Sequence, residues 1–306
     1  MTARIVVLLA TRNGARWLPE QMASILDQRG VDVRVVTLDD ASTDGTVDWI
    51  DGLAAKDSRV TRLATESASG SSAANFFRLI TRAEVADDEL IAFADQDDIW
   101  MPGKLQRQVR LISEKGVDGL SSNVTSFTPG GTRTLIRKDH PQRRFDYLLQ
   151  SPGPGSTFLI TRRLFDLVRL QLLDHADIAA RIDYHDSFMY VVARARQWHW
   201  FIDPEPTVDY RQHQHNVIGA NVGVASAVAR LRLIGRRWHR QQAIAMCELA
   251  IGIAREPLRS ELGRILALFT TPGLRARMQL ARRARDFRRR PRDRMMIAAL
   301  MFAGVW

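Results

Sequence analysis

Short apolar runs alternate with amphipathic stretches through the first hundred residues. Ile5–Ala10, Val33–Leu38, Val60–Leu63 and Glu89–Ala94 read as strands, and Leu18–Gln28, Thr46–Lys56 and Ala73–Arg82 as the helices between them. A run as unbroken as Ile-Val-Val-Leu-Leu-Ala suits a strand buried on both faces, and strands alternating with helices predict a parallel, helix-covered sheet. Residues 115–210 are mixed. Strands are predicted at Gly119–Phe127, Phe158–Thr161, Trp198–Ile202 and Thr207–Arg211, and helices at Phe145–Gln150, Arg162–Leu173 and Asp186–Arg196. From about Ala225 only helical periodicity remains, broken near Pro257 and Pro272, both plausible helix starts. The expected organisation is an α/β domain over residues 1–220 and a helical region over 221–306, with the boundary drawn from the change in composition alone.

Charge sharpens that division. Residues 1–210 hold 25 Lys and Arg against 29 Asp and Glu, whereas residues 211–306 hold 19 against 5. The tail is strongly basic, which points to an acidic surface as its partner. Arg275, Arg277, Arg282, Arg283, Arg285, Arg288, Arg289, Arg290, Arg292 and Arg294 alternate with Leu274, Met278, Leu280 and Phe287. This reads either as a solvated helix face or as an interfacial helix against anionic headgroups, with the apolar Met295–Trp306 beside it and Trp306 at the boundary. No nucleic-acid partner is expected, because aromatic residues are sparse there and no binding motif appears. No run approaches the roughly 20 apolar residues of a spanning helix. The single cysteine, Cys247, and the lack of a secretory signal predict a cytoplasmic protein, with the tail on the inner membrane face.

Polar motifs follow the strands directly. Ala10-Thr11-Arg12-Asn13-Gly14 lacks the glycine spacing of dinucleotide binders and of P-loops; it stands where parallel sheets bind ligands and reads equally as a plain turn into the next helix. The second strand ends in Asp39-Asp40-Ala41-Ser42-Thr43-Asp44-Gly45-Thr46. Asp44 or Thr43 suits a helix cap, while the adjacent Asp39 and Asp40 are costly unless paired or used. The fourth ends in Ala94-Asp95-Gln96-Asp97-Asp98-Ile99-Trp100-Met101-Pro102. Three acids in four residues suit a hard divalent ion that bridges nucleotide phosphates, and also an acidic turn capping the next helix.

Taken in order, Val-Val-Leu-Leu-Ala-Thr-Arg-Asn-Gly, Leu-Asp-Asp-Ala-Ser-Thr-Asp-Gly-Thr and Asp-Gln-Asp-Asp-Ile-Trp-Met-Pro-Gly-Lys-Leu resemble family 2 glycosyltransferases of the GT-A fold, in particular bacterial rhamnosyltransferase-like members. The resemblance covers roughly residues 3–220. It implies a mixed, mostly parallel central sheet and an inverting transfer of a sugar from a nucleotide-diphosphate donor. By it, Ala10, Thr11, Arg12, Asn13 and Asp40 line the base and ribose, Asp95 and Gln96 adjoin the ribose, and Asp97 ligates Mg²⁺ or Mn²⁺.

Pro154-Gly155-Ser156-Thr157 resembles the family's small-residue turn beside the sugar, where Gly155 and Ser156 let the backbone approach a ligand, and reads equally as a strand-entry turn. Tyr184-His185-Asp186-Ser187 stands where the family carries its catalytic base, often the second of two acids; His185 replaces the first. Asp186 suits general-base chemistry and also a helix N-cap, with Asp183 a nearby rival. Tyr210-Arg211-Gln212-His213-Gln214-His215-Asn216-Val217-Ile218-Gly219 resembles a family segment whose histidine, here His213, approaches the metal or the diphosphate, and whose Arg211 meets phosphate. By the same resemblance the leading donor is dTDP-rhamnose, with UDP-hexoses open, and the acceptor a hydroxyl of a bacterial surface glycan or its lipid-linked precursor. The rival from another class is a family member that binds nucleotide or glycan without turnover.

Overall fold

The computed structural model describes residues 2–65, 67–213 and 237–306. The boundary drawn at residue 220, and the Gln214–Gly219 end of the histidine segment, lie outside the described residues.

The chain builds β1 (Ala3–Thr11), α1 (Leu18–Leu26), β2 (Val31–Asp39), α2 (Thr46–Ala54), β3 (Val60–Leu63), α3 (Ser72–Arg82) and β4 (Glu89–Ala94) as the alternation predicts. It continues with β5 (Ile99–Trp100), α4 (Lys104–Lys115), β6 (Gly119–Ser122), β7 (Val124–Phe127) and β8 (Arg133–Ile136). Then come β9 (Leu159–Ile160), α5 (Arg162–Asp174), α6 (Ala176–Ala179), α7 (His185–Ala195), β10 (Trp200–Asp203) and β11 (Val208–Arg211). Four helices close the chain: α8 (Trp238–Ile253), α9 (Leu258–Thr270), α10 (Leu274–Phe287) and α11 (Pro291–Ala303).

Seven strands form the central sheet in the order β10-β6-β9-β4-β1-β2-β3. All neighbours pair in parallel except β9, which is antiparallel to both β4 and β6. Side chains alternate across the β1 backbone. Ile5, Val7 and Leu9 pack with Leu18, Met22 and Ile25 of α1 and Leu105 of α4. Val6, Leu8 and Ala10 pack the other way, with Phe76 and Leu79 of α3 and Phe188 of α7. A strand flanked by two cores has no polar face, which is why its sequence is apolar throughout.

Two of the predicted elements differ. The single strand predicted over Gly119–Phe127 is two, broken at Asn123. Its amide donates to the Asp139 carboxylate at 3.1 Å and the Pro204 carbonyl at 2.7 Å, and the chain passes there into a second sheet, β5-β11-β7-β8. The helix predicted over Phe145–Gln150 is one 3₁₀ turn, Asp146–Leu148, because the buried Asp146 carboxylate accepts from the Arg143 N–H at 3.1 Å and from the distant Arg194 and Arg289.

The C-terminal helices are part of the second core. Cys247, Leu262, Phe269, Phe287 and Met301 join the same apolar cluster as Val6 and Phe93. Trp306, expected at a lipid boundary, is instead 3% exposed, its ring 5.2 Å from that of Phe269. An indole beside an open aromatic face finds apolar burial within the protein.

Candidate functional site

The carboxyl ends of β1, β2 and β4, the first turn of α7 and the end of β11 surround one cleft of about 550 Å³. Its walls are built by loops that bond to one another. The Arg12 N–H donates to Gln96 Oε1 at 2.7 Å and the Gln96 amide returns to the Arg12 carbonyl at 2.8 Å, joining the loops after β1 and β4. Gly14 makes room for this pair, since a Cβ there would stand 2.3 Å from Gln96 Oε1. Asn13 accepts from the Thr43 N–H at 2.8 Å, and Asp44 accepts from the N–H groups of Ala15 and Thr46, both at 3.1 Å.

The adjacent Asp39 and Asp40 divide the work. Asp39 is consumed internally, accepting from Thr11 Oγ1 at 2.9 Å and the Ser42 N–H at 2.8 Å. Asp40 faces the cleft, paired with Arg12 at 3.3 Å and accepting from the Ser69 N–H.

After β4, Asp95 and Asp97 line the cleft and Asp98 turns beneath it, 1% exposed. Among the described residues no cation lies in ion-pair reach of Asp95. Desolvation first, then the charges of Asp97 and Asp186, push its carboxyl up to about 7. His213 Nε2 lies 2.6 Å from Asp97 Oδ2, and its ring stacks on Trp17 at 4.3 Å. Among the described residues no three His, Cys, Asp or Glu side chains converge as a metal cage. Asp97 and His213 still suit a divalent ion of the Mg²⁺ type, which keeps several waters and takes its other oxygens from substrate phosphates, and Asp95, with no described cation in ion-pair reach, favours one beside them.

The facing wall is the start of α7. Asp186 is 7% exposed; it accepts from Ser151 Oγ at 2.9 Å and from the Ser187 N–H. Burial raises its carboxyl above the ordinary range, and these two bonds oppose the rise. His185 stacks on Phe76 at 3.7 Å, and burial lowers its imidazole to about 3, so it is neutral. Gly155 is the only residue type that fits beside it, because a Cβ there would stand 2.2 Å from His185 Nε2. The rival acid, Asp183, is exposed at the cleft and accepts from the Trp238 indole N–H.

All the expected site residues line this cleft except Ser156 and Arg211. Ser156 is fully buried behind Gly155. Arg211 donates from Nε to the Asp97 carbonyl at 2.8 Å and pairs with Glu20, so it braces the acidic turn from behind. Sequence reasoning missed Trp17, Asn75, Tyr184 and Tyr210, which also line the cleft. Asn75 carried a signal: a lone amide on an apolar helix face, here donating to the Leu38 carbonyl at 3.1 Å.

The glycosyl transferase family 2 profile matches residues 6–167 of the chain. A dTDP-rhamnosyl transferase of Shigella flexneri, RfbG, is 34% identical over 235 residues, which is 76% of this chain and 81% of that protein. The chain belongs to glycosyl transferase family 2. It is a rhamnosyltransferase-like glycosyltransferase with the GT-A fold. A UDP-Glc:alpha-D-GlcNAc-diphosphoundecaprenol beta-1,3-glucosyltransferase of Escherichia coli, WfgD, is 27% identical over 52% of this chain and 60% of its own. Among solved structures, S. aureus TarS residues 1–349 with UDP-GlcNAc superposes with a TM-score of 0.58 at 17% identity, covering 99% of this chain and 81% of that one. The Pyrobaculum calidifontis mannosyltransferase PcManGT with GDP-Man and Mn²⁺ gives 0.54 at 16% identity, covering 99% and 75%. At such identities these two speak for the fold.

Proposed function

We propose that the chain transfers L-rhamnose from dTDP-rhamnose, with inversion, to a hydroxyl of a bacterial surface glycan or its lipid-linked precursor. The observation that carries the reading is the meeting of Asp186 and the Asp95–Asp97 turn in one cleft, close enough for their charges to interact. Asp186 takes the proton of the acceptor hydroxyl as that oxygen attacks the anomeric carbon. The bond from that carbon to the diphosphate oxygen breaks in the same step, and the nucleoside diphosphate leaves with the electron pair. One base on the acceptor side suffices for direct displacement.

Ala10, Thr11, Arg12, Asn13 and Asp40 bind base and ribose, Asp95 and Gln96 adjoin the ribose, and Gly155 admits the sugar. Asp97 and His213 would hold Mg²⁺ or Mn²⁺, which when bound supplies positive charge against the departing diphosphate. The Shigella relative supports the donor. A UDP-hexose is the second reading, favoured by the Escherichia coli relative, whose acceptor also supports a lipid-linked one.

A lipid-linked acceptor places the enzyme at the inner membrane face. No described helix is long and apolar enough to cross a membrane. Outer positions of α10 and α11 instead expose Leu274, Met278, Met295, Met296 and Phe302 beside the exposed Arg275, Arg282, Arg285 and Arg292, a composition that suits an anionic surface.

The test is a thermal-shift screen of the full-length protein with dTDP-rhamnose, UDP-glucose, UDP-GlcNAc and GDP-mannose, each with and without Mn²⁺. A ligand of the folded state raises its stability by mass action. The largest Mn²⁺-dependent rise is expected with dTDP-rhamnose; a larger rise with UDP-glucose selects the second reading, and no rise with any donor sinks both.

A further inference from the structure

An arginine from the C-terminal run lies at the centre of the molecule. Arg289, between α10 and α11, is one of the largest fully buried side chains, and both it and its partner Asp146 are 0% exposed. Its Nε donates to Asp146 Oδ2 at 2.6 Å and its Nη2 to the Tyr190 hydroxyl at 3.2 Å. Its backbone N–H donates to Gln150 Oε1 at 3.2 Å, and its Nη1 to the Ser151 carbonyl at 3.3 Å. Arg289 thereby grips the segment from Asp146 to Ser151 at three points, two through its guanidinium and one through its backbone.

Ser151 is the residue whose hydroxyl reaches Asp186. That hydroxyl has one proton and two acceptors, Asp186 Oδ2 at 2.9 Å and the Gly153 carbonyl at 2.6 Å. The lie of the loop decides which of them it serves. Nothing else in the basic run is placed to fix that loop from inside: Arg288 meets the charge of Asp293, and Arg290 donates to the Arg137 carbonyl and His140 on the outside.

We propose that Arg289 is a positioning residue for Asp186, acting through Ser151, so that the α10–α11 hairpin is a working part of the active site. The inference rests on Asp186 as the base. A buried guanidinium with fixed carbonyl and carboxylate partners suits this task, because its planar fork sets direction as well as distance. The hairpin that carries the exposed basic and apolar surface is thus bonded to the catalytic wall.

The test uses full-length protein, with turnover read as dTDP released from dTDP-rhamnose in the presence of a short-chain GlcNAc-diphospholipid. Arg289→Lys and Arg289→Met are expected to lower kcat roughly tenfold or more while leaving donor affinity near wild type. They are also expected to move the acid limb of the kcat profile to higher pH, because losing the Ser151 bond removes one of the interactions that hold the Asp186 carboxyl down. Ser151→Ala cuts the last link without touching the buried arginine, and should reproduce the shift even if an Arg289 variant fails to fold. A folded Arg289→Lys with wild-type kcat and acid limb, or a Ser151→Ala whose acid limb stays in place, overturns the proposal. Asp186→Asn separates the two readings. If it is inactive while Ser151→Ala behaves as wild type, only the positioning fails; if it is fully active, the base assignment fails first.

Discussion

His213 Nε2 and Asp97 Oδ2 stand 2.6 Å apart although 116 residues separate them in the chain. The contact exists because β11 pairs antiparallel with β5, directly after the acidic turn, and delivers the histidine to it. Asp97→Asn is expected to abolish Mn²⁺-dependent donor binding and to reduce transfer by about 10²–10³-fold, the usual scale for removing one preorganised electrostatic contact. Chelation of the wild-type enzyme should produce the same phenotype. Calorimetric titration of the donor with and without Mn²⁺ reads this directly, and an Asp97→Asn enzyme with normal Mn²⁺ dependence removes the assignment.

Asp186 is the second test. As a base it must be ionised, and its carboxyl is raised by burial. The sign follows: below the raised value the protonated form dominates and kcat falls, so the acid limb lies above the ordinary carboxylate range rather than near 3.8. Asp186→Asn is expected to bind donor normally, lose most of kcat and lose that limb. The measurement is kcat against pH from 4 to 9; a limb at the ordinary carboxylate value contradicts the buried-base reading.

Gly155 offers a steric test. Alanine there brings a Cβ to 2.2 Å from His185 Nε2, and the imidazole cannot retreat because Phe76 backs it at 3.7 Å. Gly155→Ala is expected to destabilise the fold by on the order of 1–3 kcal/mol, the usual scale for overpacking. Denaturant unfolding measures it. A variant as stable as wild type shows that His185 has somewhere else to go.

Legibility followed chemistry that is local in the chain. β1, β2 and β4 were readable because both faces of each are buried, and their polar motifs begin where the sheet ends. Asp40 and Asp97 were readable for the same reason. Partners delivered from afar were not: Trp17, which carries His213, precedes α1 as an ordinary aromatic. The bond from the Arg211 guanidinium to the Asp97 carbonyl is a contact that spacing does not encode. Arg289 was the least visible. Within a run of arginines a buried one has the same letter as a solvated one, and only the distant Asp146 and Tyr190 distinguish it.

That distinction alters what the basic tail can be tested for. Six of the ten arginines between Arg275 and Arg294 are engaged within the protein. Arg277, Arg290 and Arg294 donate to backbone carbonyls, Arg283 pairs with Glu261 and Asp286, Arg288 is half-buried beside the charge of Asp293, and Arg289 lies inside. Removing residues 272–306 would therefore strip Phe287, Met301, Trp306 and Arg289 from the core, and is expected to destroy activity on soluble and lipid-linked acceptors alike. Lipid docking must be probed in the full-length chain through the remaining four, Arg275, Arg282, Arg285 and Arg292, which are exposed and outside any ion pair among the described residues. Each contributes on the order of 1 kcal/mol toward an anionic surface, so changing all four to Ala is expected to release the enzyme from anionic vesicles. The fold and transfer to a short soluble acceptor should persist, because none of the four reaches the core. Wild type is expected to co-sediment with phosphatidylserine-containing vesicles at low salt, to dissociate at high salt, and to ignore neutral ones. If the quadruple variant co-sediments as wild type does, or if wild-type binding is indifferent to salt and lipid charge, the electrostatic surface is not what holds the enzyme to its acceptor.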